Sequence, residues 1–193
     1  MWNFTTPGIP DELFERDEQI PITKEEIRTI IVSKLRLKQG DSVIDVGCGS
    51  GSITIEVCIQ IKNGSVYAID FNQKAIELTK KNLKKFGLHA TTILARAQDI
   101  LSDLPLVDAV VIGGTWGNID EIIEQSINRL KKGGRLVIST ILIETTFSAI
   151  NALSKFELQD LDIIQVSITK SRKVTTGTMM VARNPITIIS TTI

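Results

Sequence analysis

The 193-residue sequence is poor in the side chains that carry most enzymatic chemistry, with two cysteines, one histidine and 5% aromatics. Cys48 and Cys58 are too few for a disulfide scaffold and suit a reducing compartment. The lone histidine, His89, falls in a connection before a β-rich run, so a Ser-His-Asp triad has no support and a surface loop residue is the reading. No cluster of Cys, His and carboxylate residues has metal-ligand spacing, and no metal site is expected. Net charge is missing as well. The 22 Lys and Arg balance 22 Asp and Glu, which leaves no global field for nucleic acid or an anionic membrane. No apolar run approaches membrane-spanning length, and Met1-Trp2-Asn3-Phe4 has neither the basic start nor the apolar core of a signal peptide. A cytoplasmic protein without a membrane or nucleic-acid partner is expected. Repeats, low-complexity tracts and linkers are absent too, and the length suits a single domain over residues 1–193.

What the sequence does have is a strand, a glycine turn and a helix in immediate succession. Ser42-Val43-Ile44-Asp45-Val46 is an apolar run without clean alternation, the pattern of a strand buried on both faces. It stops at Gly47, Gly49 and Gly51, after which Ser52-Ile53-Thr54-Ile55-Glu56-Val57 starts a helix. Missing Cβ atoms let the chain turn sharply and let a ligand approach the main chain, while the helix start offers free N–H groups.

The rest of the chain repeats the rhythm. Pro7, Pro10 and Pro21 break up residues 1–22, which read as a segment covering the site. Thr23-x-x-Glu26 fits a capping box, with Ile27, Ile30, Ile31 and Leu35 following at helical spacing. Strands are expected at 66–69, 91–94, 109–112 and 135–140, and helices at 72–86, from Asn118 or Asp120 to Leu130, and at 144–156. Ala97-Gln98-Asp99 reads as a loop and Lys132-Gly133-Gly134 as a turn. The alternation implies a mostly parallel sheet with helices on both faces. Near the end, 163–169 and 178–183 are β-rich runs joined by a polar loop with Lys170, Arg172, Lys173 and Gly177, and so short a link requires antiparallel pairing. The apolar run Ile186-Thr187-Ile188-Ile189 fits core or interface alike.

The glycine spacing narrows the ligand. A dinucleotide turn is G-x-G-x-x-G, but Ser52 stands where its third glycine belongs. Asp70, at the tip of the second strand, is placed to accept both ribose hydroxyls of a nucleoside, and no arginine follows it for a 2′-phosphate. Cys48 lies inside the turn and reads as a small packing residue rather than a thiolate nucleophile. At the end of the fourth strand Gly113 and Gly114 leave room for a large flat substrate on which Trp116 can stack; a plain turn with Trp116 at a core edge fits equally.

Asp45-Val46-Gly47-Cys48-Gly49-Ser50-Gly51 with Asp70 resembles the nucleoside site of class I, Rossmann-like, S-adenosylmethionine-dependent methyltransferases. Gly8-Ile9-Pro10-Asp11-Glu12-x-Phe14, Ile22-Thr23-Lys24-Glu25-Glu26-Ile27-Arg28, Gly113-Gly114, Leu142-Ile143-Glu144-Thr145 and Gly177-Thr178-Met179-Met180-Val181-Ala182-Arg183-Asn184-Pro185 make that resemblance specific. Together they resemble the CbiT-type methyltransferases of the anaerobic cobalamin pathway. The resemblance implies a seven-stranded, mostly parallel sheet finished by an antiparallel C-terminal hairpin strand. It also implies methyl transfer from S-adenosyl-L-methionine to C15 of cobalt-precorrin-6B, a tetrapyrrole, with loss of the C12 acetate carboxyl as carbon dioxide, by a homotetramer. The family's cofactor contacts fall on Thr23, Gly47, Cys48, Gly49, Ser50, Gly51, Asp70 and Ala97. Gln98 stands where the family often has an acid. Gly113, Gly114, Trp116 and Arg172 are the substrate candidates. Because the implied substrate is a polycarboxylate, Arg16, Lys24, Lys170, Arg172 and Lys173 are its candidate cations, Arg172 foremost. No residue is singled out for the decarboxylation. A tRNA or rRNA methyltransferase and a non-catalytic cofactor-binding subunit of a corrinoid assembly are the alternatives.

Overall fold

Val43 and Ile44 are neighbours in sequence, both fully buried, and they belong to different cores. Period-two side-chain alternation in a strand covered on both faces produces this. In the computed structural model, which describes residues 2–114 and 118–193, these two residues lie in β1 (Ser42–Val46). β2 (Ser65–Asp70), β3 (Thr91–Leu94), β4 (Val107–Ile112) and β5 (Leu130–Thr140) pair parallel in the order β3-β2-β1-β4-β5. Ala109, Val111 and Val137 point into one core, against Ile27, Ile31 and Leu35 of α1 (Glu25–Leu35) and Ile55 of α2 (Ser52–Ile61). Val110, Ile112, Leu136 and Ile138 point into the other, against Ile122 and Ile123 of α5 (Ile119–Asn128) and Leu153 of α6 (Ile143–Leu153). Truncating any of these buried Leu or Ile side chains to Ala costs about 2–5 kcal/mol. α3 (Gln73–Phe86) begins at Asn72, whose side chain accepts from the Lys74 N–H, and ends at left-handed Gly87.

The chain leaves β1 toward β2 on one side and returns to β4 on the other. This reversal opens a crevice at the carboxyl ends of the strands.

The C-terminal third differs in detail from the sequence-based expectation. β6 (Gln159–Val166) is the sheet's edge, and β9 (Ile186–Thr192) is inserted between β5 and β6, antiparallel to both. Ile188 enters one core and Ile189 the other, so this apolar run is core. The expected polar loop is instead the body of a hairpin, β7 (Thr169–Val174) and β8 (Gly177–Ala182), which forms its own two-stranded sheet with every residue exposed. Two smaller expectations also change. Residues 97–100 form a single helical turn, α4 (Ala97–Ile100), rather than a loop. Lys131 to Gly134 lie within β5, where a bulge against β4 is tied to the last residue by Gly133 N–H to Ile193 O (2.7 Å) and Ile193 N–H to Gly134 O (3.0 Å). Among the described residues no helix is long and apolar enough to cross a membrane.

Candidate active site

The crevice is built first from backbone. The N–H groups of Gly47 and Cys48 both donate to the Ile69 carbonyl, at 2.9 and 3.0 Å, which folds the end of β1 against the end of β2. Gly47 has φ +73°, and a Cβ there would lie 2.2 Å from the Gly114 carbonyl oxygen, so the turn can approach β4 only without a side chain. Asp70 closes the turn from the other side. Its Oδ2 accepts from the Gly49 N–H and its Oδ1 from the Asn72 N–H, both at 2.9 Å. Each oxygen keeps a further lone pair, so the fixed carboxylate can accept two more donors.

The N-terminal segment is held over this turn. Pro21 and Ile20 lie against Gly49, where an added Cβ would be 3.3 Å from the Pro21 carbonyl. Buried Asn82 of α3 fixes the segment: its Oδ1 accepts from the Glu15 N–H (2.7 Å) and its Nδ2 donates to the carbonyls of Ser50 (2.8 Å) and Glu15 (3.2 Å). A second lock is ionic. Arg28, fully buried on α1, donates to Glu56 Oε1 (2.7 Å), Asp11 Oδ1 (3.2 Å) and the carbonyls of Ile9 and Thr23, and lies 4.8 Å from the centre of the Phe14 ring. Glu56 in turn accepts from the N–H groups of Gly8 (2.9 Å) and Ile9 (3.0 Å). Such a network holds geometry firmly, because removing one member leaves a buried charge unpaired.

The same network corrects the expected cap of α1. Lys24 is the N-cap and Thr23 makes no side-chain capping bond; the Glu25 N–H goes to Asp11 Oδ1 at 3.0 Å instead. Asp11 lies in a single 3₁₀ turn, Asp11–Leu13. Glu26, freed from the cap, pairs with Lys170 (2.8 Å) and Arg183 (3.0 Å), and the Lys170 hydrogen bond holds its carboxyl below the usual range.

Together these elements enclose a cavity of about 870 Å³. Its wall runs from the N-terminal segment and glycine turn past Asp70 and Ala97, across Gly113 and Gly114, to Thr140, Ile168 and Arg183. A volume of this size is at the upper end for a small-molecule site. The match of residues 12–193 to the family model for the precorrin methyltransferase domain decides what kind of cavity it is. The chain belongs to that family.

This precorrin methyltransferase domain has close relatives over its whole length. A protein of Saccharolobus solfataricus named a probable cobalt-precorrin-6B C(15)-methyltransferase (decarboxylating) is 50% identical, covering 98% of this chain and 97% of its own. Among solved structures, a precorrin 8W decarboxylase of Methanobacterium thermoautotrophicum superposes with a TM-score of 0.90 at 36% identity, covering 96% of this chain and all of that one. A precorrin-6Y C5,15-methyltransferase of Geobacter metallireducens does so with 0.90 at 32%, covering 97% and 98%.

Within the domain, Thr23, Gly47, Cys48, Gly49, Ser50, Asp70, Ala97, Gly113 and Gly114 all line the one cavity. Gly51 lies behind it: φ is +76° and a Cβ would sit 2.8 Å from Thr79 Oγ1. Trp116 lies outside the described residues. Arg172 stands in β7 of the exposed hairpin, away from the cavity wall. The Cys48 thiol is pushed above its ordinary range by burial, with Asp45 adding to it, and its sulfur rests 3.5 Å from Thr79 Oγ1.

Four residues were not singled out from sequence as site-forming: Arg28, Asp45, Asn82 and Arg183. Asp45 is buried, accepts from Thr54 Oγ1 (2.5 Å) through Oδ2, and leaves Oδ1 without a partner among the described residues. Burial, followed by the nearby Asp70 charge, pushes its carboxyl up to about 6. An acid in the middle of an apolar strand run was the available signal; Arg28 and Asn82 look like ordinary surface positions of a helix.

Proposed function

We propose that this chain is an S-adenosyl-L-methionine-dependent C-methyltransferase acting at C15 of cobalt-precorrin-6B, with decarboxylation of the C12 acetate to give cobalt-precorrin-7 in anaerobic cobalamin biosynthesis. One observation carries the reading: in a precorrin methyltransferase domain, Asp70 stands beside a glycine-rich turn with lone pairs open to a large cavity.

The wall fits the cofactor. Asp70 has capacity for two ribose hydroxyls, Gly47 and Gly49 let the turn pack directly against Gly114 and Pro21 along the wall, and the buried Gln98 Oε1 on the wall has no partner among the described residues and suits an exocyclic amino group. Thr23, Cys48, Ser50 and Ala97 complete the contact surface, with Gly51 shaping the turn. When bound, S-adenosylmethionine supplies an electrophilic methyl group, so the chain's residues have to orient and dehydrate more than to activate. Residues 2–22, held by Asn82 and Arg28, are the cover that excludes water. Gly113 and Gly114 let a flat macrocycle come close to the turn. In this reading the protein is a cytoplasmic homotetramer, and the apolar side chains exposed at Ile143, Phe147 and Met180 are surface available for self-association.

The test is to incubate the purified protein with methyl-labelled S-adenosylmethionine and cobalt-precorrin-6B. Label in the macrocycle together with carbon dioxide release is expected. Cofactor binding without label transfer indicates a non-catalytic subunit, and label transferred only to added RNA indicates an RNA methyltransferase; either result overturns the proposal.

A further inference from the structure

The charges on the cavity wall are unevenly placed. Asp70 is the one carboxylate among the described wall residues, whereas Lys24, Arg96 and Arg183 are cations. Arg96 lies beside Asp70, one residue beyond the Ala95 N–H that donates to the Asp70 carbonyl (3.1 Å). Arg183 is at the opposite end. Asp70 ends β2 and Arg183 precedes β9, with β1, β4 and β5 between these strands. Because Thr140 pairs with Thr187, the start of β9 lies on the same edge of the sheet as the carboxyl ends of the parallel strands. Four strand spacings of about 4.8 Å put roughly 19 Å between the two ends. A nucleoside anchored on Asp70 therefore leaves Arg183 for the second reactant.

Arg183 is held ready rather than used up. Its backbone N–H donates to Ile168 O at 2.9 Å, and its Nη1 donates to Glu26 Oε2 at 3.0 Å. That is its only side-chain hydrogen bond among the described residues, which leaves Nε and Nη2 as a free fork. Glu26 gives its other oxygen to Lys170 (2.8 Å), and Lys170 also lies 3.9 Å from Glu25. Glu26 thus orients the guanidinium through one oxygen while the arginine side chain stays 32% exposed at the cavity.

We propose that Arg183 binds a peripheral carboxylate of the macrocyclic substrate through this free fork, with Glu26 as its positioning residue, and so decides which carbon faces the methyl donor. The proposal rests on the reading of the cavity as a precorrin site. It transfers the carboxylate-binding role from Arg172, on the exposed hairpin, to a residue on the cavity wall. A planar two-donor fork matches a carboxylate in a way that a lysine ammonium does not.

The experiment measures kcat and KM for cobalt-precorrin-6B, calorimetric Kd for S-adenosylmethionine, and fluorescence-quenching Kd for uroporphyrin, a stable tetrapyrrole polycarboxylate. Arg183→Ala is expected to raise KM and weaken uroporphyrin binding about tenfold or more, with cofactor Kd within about twofold of the native chain. Arg183→Lys should recover only part of the loss, and Glu26→Gln should show a smaller KM increase of the same kind. Unchanged KM and uroporphyrin affinity in Arg183→Ala overturn the proposal. So does an equal loss of cofactor affinity, or full recovery by Arg183→Lys, because either marks a purely structural ion pair. If the native chain turns over no cobalt-precorrin-6B, the functional reading fails, and the uroporphyrin comparison still decides for or against Arg183.

Discussion

The two ends of the cavity are built from different materials. At the Asp70 end the contacts are mostly main chain: Gly47 and Cys48 share one carbonyl, Gly49 and Asn72 hold one carboxylate, and Asn82 grips two backbone segments. At the Arg183 end the contacts are long side chains, Arg183 and Lys170 converging on Glu26, at the root of a hairpin exposed along its whole length. A backbone-built end fits a ligand of invariant shape, and the nucleoside of a common cofactor is one. A side-chain-built end can be retuned by single substitutions, which suits the reactant that distinguishes one methyltransferase from another.

The largest break in this comparison should come from Gly47→Val. Its side chain would collide with the Gly114 carbonyl at a positive φ that β-branched residues avoid, so cofactor affinity should fall by more than about 100-fold, read by calorimetry. Glu56→Gln comes next. Every partner of Glu56 in the Arg28 network is a donor, so the new amide NH₂ faces an N–H and Arg28 loses a balancing charge. We expect a loss of about 3 kcal/mol, or about 6–12 °C in Tm, with the cover over the turn loosened.

Asp45→Asn sharpens the comparison through pH. Asp45, at the main-chain end, has its carboxyl raised to about 6, whereas Glu26, at the other end, is held low. Between about pH 4 and 6 the folded chain keeps a proton on Asp45 that the unfolded chain has released, so native stability drains away as pH rises through that window. Relative to the native chain, Asp45→Asn should therefore gain up to about 3 kcal/mol from pH 4 to pH 6 and little beyond, measured by denaturant melts. Glu26→Gln should show the opposite trend. Glu26 contributes stability above its ordinary pKa that is lost as pH falls through its lowered folded value, so the gap to the variant should close in acid.

The main-chain end was legible in the sequence because it is encoded locally. The β1 run, three glycines and Asp70 fall within residues 42–70, and their order alone specifies strand, turn and acceptor. The other end is assembled from residues 26, 140, 168, 170 and 183, which only the sheet topology brings together. The β7 strand reads as a loop because Lys170-Ser171-Arg172-Lys173 has no apolar alternation; a strand exposed on both faces needs none. The β9 run was ambiguous because burial on both faces and burial at an interface leave the same apolar signature. Thr23 fits a capping box on spacing, but Asp11 reaches the Glu25 N–H first, a competition that local spacing cannot reveal. The buried role of Arg28 is not encoded locally, because its two carboxylate partners, Asp11 and Glu56, come from other segments.

A crossed measurement on one preparation tests the division of labour most directly: cofactor Kd and cobalt-precorrin-6B KM for the native chain, Asp70→Ala and Arg183→Ala. The predicted result is a cofactor Kd weakened about tenfold or more by Asp70→Ala alone and a KM raised by a similar factor by Arg183→Ala alone. Variants that each shift both constants by the same factor would contradict it, because the cavity would then be a single site and not two ends with separate ligands.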